Sequence, residues 1–341
     1  MDESCSNYDA EAEKDDGSCI CDDSLTVDMN SMLTQYSENI ILPTYNELAA
    51  KLDSLELEAA ALDTSNVSSI RPLLLRAYKQ WAKASFFEFG PAEQALLRVN
   101  LNTFPTDTAL IISNVLEGDY SLALVSNFQA KGFPAMDYIV NKNSTITALE
   151  KKYLMDLIAD SKSVLSVVIG NWNVSYAAEF PNKLGTDAAS SISNLVNALN
   201  LEIDMIKNTK VGIPLGKKTY GDKMPNDVEG YFGSWSFALL DASLNGLETV
   251  INGDTLGFKE YLDTQGSMYD GELLSVAIQN QIHYVRDLQE AFSGDLPDAI
   301  RNNESDVDVL HSAWVDLLFL TKTEMPAAVE VLINYQSGDG D

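Results

Sequence analysis

Residues 191–214 read S-I-S-N-L-V-N-A-L-N-L-E-I-D-M-I-K-N-T-K-V-G-I-P. Ile192, Val196, Leu199, Ile203 and Ile206 recur at alternating four- and three-residue steps, with Leu195 beside them, which is the spacing of one buried stripe on an α-helix. Gly212 and Pro214 predict its end near Val211. The same period runs outward in both directions. Toward the N-terminus, Leu33, Tyr36, Ile40, Ile41, Tyr45, Leu48 and Leu52 mark a helix over 25–62, which Pro43 should kink. Leu73, Leu74, Ala77, Trp81 and Ala84 mark another over 68–88, broken at Phe89-Gly90-Pro91. Short helices are expected at 108–117 and 120–130. Thr147-Ala148-Leu149-Glu150 is a capping box, in which each side chain satisfies a backbone donor of the other residue. It opens a helix carrying Leu154, Leu157, Ile158, Val164, Leu165 and Val168, and 171–186 reads as a connection. Toward the C-terminus, helices are expected over 227–252, 272–292 and 307–332, the last with Leu310, Trp314, Leu317, Leu318 and Thr321 on its inner face.

Strand signals are nearly absent, since no β-branched alternation flanked by Asn-Gly or Asp-Gly turns recurs. The class is therefore all-α. One bundle of long antiparallel helices usually takes four, and about eight are available, so two helical-bundle domains packed side by side with a cleft between them are expected. The boundaries are an N-terminal tether over 1–23, a first bundle over 24–180 and a second over 181–341. No internal repeat is strong enough to establish duplication.

One stretch departs from the long amphipathic pattern, K-G-F-P-A-M-D-Y-I-V at 131–140. Gly132 can take a backbone conformation that other residues avoid, and Pro134 suits a first helical turn, whose N–H groups lack intrahelical partners. Asp137 is then expected within that first turn, near the positive end of the helix dipole.

This stretch resembles the Gly-x-His-x-x-Glu signature of the imelysin family of extracytoplasmic bacterial proteins, with Gly132, Phe133, Pro134 and Asp137 in its frame. Other landmarks are similar: Phe89-Gly90-Pro91, Phe104-Pro105-Thr106-Asp107, Pro214-Leu215-Gly216, Val228-Glu229 leading to Ser234-Trp235-Ser236, Asn245-Gly246, and the ending Asp339-Gly340-Asp341. The resemblance implies two related helical domains with a functional cleft between them. It also implies iron acquisition, with an uptake partner at the outer membrane. In the family the signature histidine and glutamate resemble metal ligands, because a three-residue step returns both to one helix face. Here Pro134 stands in the histidine's place and offers no ligand, while Asp137 keeps a carboxylate with a shorter reach.

The remaining candidates for chemistry are sparse. His283 and His311 fall in different late helices, and no His-Glu-x-x-His motif, Gly-x-Ser-x-Gly elbow or glycine-rich phosphate loop occurs. His283 is expected at the border of an apolar stripe and His311 in a solvent or capping role. What is left is oxygen-rich: Glu88 and Glu93 beside Phe89-Gly90, then Asp137, Glu229, Ser234 and Ser236. Such donors suit hard cations, ferric iron or calcium, better than zinc, with Asp137 and Glu88 the candidate metal ligands. The expectation is a non-catalytic binding protein holding a metal ion or small ligand in the interdomain cleft. A metallopeptidase is the first alternative. The second is a cell-surface module that binds a protein or polysaccharide through the cleft and the basic loop with Lys217, Lys218 and Lys223.

Composition narrows the partners. The 341 residues are 45% hydrophobic and carry a net charge of −29, which repels nucleic acid and anionic lipid over most of the surface. No run of about 18 apolar residues could span a bilayer. Cys5, Cys19 and Cys21 crowd into the first 21 positions, which suits a small oxidised loop on an exported protein, Cys5 pairing with Cys19 or Cys21. Asp9, Asp15 and Asp16 could hold calcium there. A lipid-anchored protein of the periplasm or cell surface, with its targeting segment removed, is the expected setting.

Overall fold

A computed structural model describes residues 27–334, and they are helical apart from loops and one two-residue hairpin. The tether, its cysteines, the Asp9, Asp15 and Asp16 calcium candidates and the final Asp-Gly-Asp lie outside the described residues.

Helix α1 comprises Met29–Gln35, a π-helical turn Tyr36–Ile41 and Leu42–Ala61. Then come α2 (Arg71–Ala84), α3 (Thr108–Glu117), α4 (Gly132–Asn141) and α5 (Ala148–Asn171), with the Thr147–Glu150 capping box formed as the sequence predicts. The second half contributes α6 (Ser191–Met205), α7 (Ser236–Asn252), α8 (Leu274–Glu290) and α9 (Glu304–Phe319).

The long part of α1 packs against α5 and α2, and α2 packs against α7 as well. From α7 the packing continues through α8 and α9 to α6. Close approach at the α2–α7 contact needs a small residue. A Cβ on Gly246 would stand 3.0 Å from both the Lys83 Cα and the Phe86 ring. The buried side chains of all these helices form one continuous apolar cluster, with Trp81, Trp172 and Trp314 fully enclosed and Trp235 packed at its edge.

Two expectations about helix ends change. At Leu42, Ile213 and Met325 the backbone N–H reaches the carbonyl five residues back, on Ser37, Asn208 and Leu320, one residue ahead of Pro43, Pro214 and Pro326. A proline lacks the N–H and crowds the carbonyl four residues earlier, so the ladder widens by one residue and the helix goes on. Hence α6 does not stop at Val211; its π turn Ile206–Gly212 leads into Ile213–Leu215. The expected connection over 171–186 is likewise helical as far as Asn182, through Trp172–Tyr176, Ala177–Glu179 and Phe180–Asn182. Trp172, Tyr176 and Phe180 recur every four residues and pack on one another, with Phe89 stacked on Phe180 at 5.7 Å.

Two elements shrink. Over 227–252 only Ser236–Asn252 is helical, because Gly230 and Ser234 take left-handed φ of 72° and 54°. The helix at 120–130 is a 3-10 segment, Val125–Ala130. The hairpin pairs Met268–Tyr269 with Glu272–Leu273 across Asp270-Gly271, both at positive φ.

Candidate functional site

The start of α4 is fixed from its own first residues. Gly132 has φ 71°, and a Cβ there would lie 2.2 Å from the Leu101 carbonyl oxygen, so only glycine fits. Lys131, buried, donates to Asn100 Oδ1 at 2.9 Å and to the Leu122 carbonyl at 2.8 Å, and pairs with Asp160 at 2.6 Å. These bonds hold the turn from three directions.

Asp137 is not in the first turn of α4. The helix begins at Gly132, so Asp137 lies in the second turn, where it is 1% exposed. Its carboxylate accepts from Asn141 Nδ2 at 2.9 Å and from the backbone N–H of Phe232 at 3.1 Å. The Gly233 N–H adds a weaker favourable influence on the carboxylate. Asp137 therefore anchors the loop 230–235 to α4 instead of capping its own helix. Burial pushes its carboxyl up to about 7, against the lowering effect of these donors and with a further upward push from Asp295.

On one side of this loop lies a cleft of about 300 Å³. Pro105, Thr106, Thr108, Pro134, Asp137 and Tyr138 line it from the first half of the chain. Asn226, Asp227, Val228, Gly230, Tyr231 and Phe232 line it from the second. On the other side lies a polar hollow of about 340 Å³ with Lys142, Ser234, Asp295 and Arg301. Tyr231 and Phe232 border both spaces, and Phe232 sits edge-on to Tyr138 at 4.9 Å. Asp295 accepts from the backbone N–H groups of Ser236 and Phe237 at 3.1 and 3.0 Å, which begins α7 from outside.

The other predicted site residues fall in three places. Glu88 and Glu229 belong to a buried polar cluster behind the cleft. There Lys210 Nζ lies 3.0 Å from both Glu202 and Glu229, Arg98 pairs with Glu202, and Arg98 N–H donates to Glu88 at 2.9 Å. Asn102 bridges Tyr78 and Glu229, with both bonds at 2.7 Å. Ser236 Oγ donates to the Glu229 carbonyl oxygen at 2.7 Å. Burial would raise Glu202, yet Arg98 and Lys210 outweigh it and hold the carboxyl below its ordinary range. Burial does raise Glu88, whose Oε2 has no partner.

Phe133 stacks on Tyr78 at 4.8 Å, and Phe89 and Gly90 pack in the Trp172–Tyr176–Phe180 group, where a Cβ on Gly90 would meet the Tyr176 ring at 2.5 Å. Glu93 is exposed on the outside. Sequence reasoning missed Arg98, Asn102, Glu202 and Lys210. The available signal was Glu202 beside Ile203 on the otherwise apolar face of α6.

The donor set does not fit a metal. Asp137 is surrounded by N–H groups, Glu88 lies in a different cluster, Pro134 supplies nothing, and among the described residues no three His, Cys, Asp or Glu side chains converge on one point. The two candidate metal ligands, Asp137 and Glu88, thus lie in separate clusters. His283 is 63% exposed, 3.9 Å from Glu248, rather than bordering the core. His311 is half-buried, and burial followed by Lys217 and Lys207 lowers it to about 4, so it is no solvent or capping residue. In the basic loop Lys217 pairs with Asp308 at 2.7 Å and Lys223 with Glu304, so these two charges are neutralised by α9.

Two solved structures share the fold. An imelysin-like protein from Psychrobacter arcticum 273-4 matches with a TM-score of 0.75 and 17% identity, over 91% of this chain and 99% of its own. A structure described as an iron-regulated protein A precursor from Parabacteroides distasonis ATCC 8503 matches with a TM-score of 0.71 and 15% identity, over 88% of this chain and 94% of its own. No curated protein matches the sequence. The family model described as imelysin matches residues 41–313, which is most of the chain, and the chain therefore belongs to the imelysin family.

Proposed function

We propose that this chain is an extracytoplasmic, non-catalytic binding protein of the imelysin family, serving iron acquisition without gripping the bare metal ion, with its ligand in the Asp137 cleft. The observation that carries the reading is the state of Asp137. A buried carboxylate whose acceptors are turned to the N–H groups of a loop is built to shape a pocket, whereas a metal site would leave those oxygens converging with others on an open point. The iron-related role and the extracytoplasmic setting are supported by the fold shared with the Parabacteroides iron-regulated protein A precursor. Among the described residues no helix is long and apolar enough to cross a membrane.

Calorimetric titration of the purified chain with ferric, ferrous, zinc and manganese ions tests the metal part. No saturable heat is expected, and a one-to-one heat that Asp137→Asn abolishes would refute it. Chelator-sensitive cleavage of a protein substrate would refute the non-catalytic part.

A further inference from the structure

The cleft has a definite chemical character. Tyr138, Tyr231 and Phe232 supply rings, Pro105, Pro134 and Val228 supply aliphatic surface, and the charged lining residues are Asp137 and Asp227, with no lysine or arginine in the wall. Asp227 is half-buried, and among the described residues its carboxylate has no hydrogen-bond or ion-pair partner. A carboxylate has about four acceptor positions. Asp137 accepts two, from Asn141 and Phe232, with the Gly233 N–H nearby, and keeps acceptor capacity. In the adjoining hollow, Lys142 pairs with Glu150 and lies over the Tyr138 ring at 4.6 Å.

Resting on the binding-cleft reading above, we infer that the cleft takes a small organic cation, its ammonium or guanidinium end at Asp227 and Asp137 and its flat apolar part against Tyr231 and Phe232. Aromatic faces attract such a charge through the ring quadrupole, and the attraction grows where water is excluded. An anionic ligand would meet unpaired carboxylate with no counter-charge in the wall. The net charge of −29 gathers cations toward the molecule generally, so the inference concerns the preference that remains when this long-range field is screened.

The test uses three probes of one shape at pH 8 and about 150 mM salt, where screening is effective beyond roughly 8 Å: benzylammonium, benzyl alcohol and benzoate. Binding is followed by the shifts of Tyr231 and Phe232 ring protons. The expected result is saturation by benzylammonium at least tenfold tighter than by benzyl alcohol, with no benzoate binding, and collapse of that preference in Asp227→Asn. Asp227 belongs to a surface loop, so this variant keeps the fold, which its circular dichroism verifies. Equal binding of benzylammonium and benzyl alcohol, or a preference that persists in Asp227→Asn, would overturn the cation inference and leave the cleft reading standing. If no probe moves the Tyr231 and Phe232 signals, both fall.

Discussion

Replacing Asp137 by asparagine should change stability in a way that depends on pH, and the sign follows from the site. Burial raises the native carboxyl to about 7 from the ordinary 3.8. Between those values the folded chain keeps a proton that the unfolded chain has lost. Stability associated with the protonated group is therefore fully present below about pH 4 and is lost as pH rises through 7. Linkage gives a cost of roughly 2 kcal/mol at pH 5, rising to roughly 4 kcal/mol at pH 8. Asparagine has no such titration. It also has one acceptor oxygen where the carboxylate has two, so it leaves one of the N–H donors of Asn141, Phe232 or Gly233 poorly matched, a fixed cost of about 1–3 kcal/mol. The two effects together predict that Asp137→Asn lies within about 1 kcal/mol of the parent at pH 5 and gains about 2–3 kcal/mol relative to it by pH 8. Urea unfolding of both proteins at pH 5, 6, 7 and 8, compared at equal denaturant slope, measures this directly. A stability difference that stays flat within about 0.5 kcal/mol across the series would refute the buried Asp137 with a raised carboxyl described above.

Gly132→Ala should cost at least about 3 kcal/mol or prevent folding, because the methyl group would overlap the Leu101 carbonyl at a left-handed φ; the urea midpoint reads it. Lys210→Met should cost about 3–5 kcal/mol by leaving Glu202 and Glu229 without their shared cation, again by urea unfolding. His311, lowered to about 4, should remain neutral in an imidazole proton titration between pH 5.5 and 8. Its contribution to stability is present above the unfolded value of 6.5 and is lost as pH falls toward 4, so His311→Gln should flatten that acid limb.

Much of the helical architecture was legible because its stripes are local. Ile192 through Ile206 and Leu310 through Thr321 declare their helices by spacing alone, and Thr147–Glu150 declares a cap. The prolines misled at the ends of helices, since a sequence does not say whether Pro214 ends a helix or widens it; that depends on what the next turn, Ile213–Leu215, can pack against. The site was half legible. Gly132, Pro134 and Asp137 stood out by chemistry, but the partners of Asp137 are backbone N–H groups some 95 residues away, and backbone donors leave no trace in residue types. Arg98, Glu202 and Lys210 drew no notice because the pairing of Arg98 with Glu202 exists only after the two halves of the chain meet.

Helix α2 carries a further consequence. It is a party wall: one flank faces α1 and the other faces α7, and the ion cluster of Arg98, Glu202, Lys210 and Glu229 is bolted through just beside it. A gene truncated near residue 180 would strip that wall bare and part Arg98 from Glu202, leaving it only Glu88, so neither half should be obtainable as a soluble fragment. The intact chain should melt in a single step rather than in two.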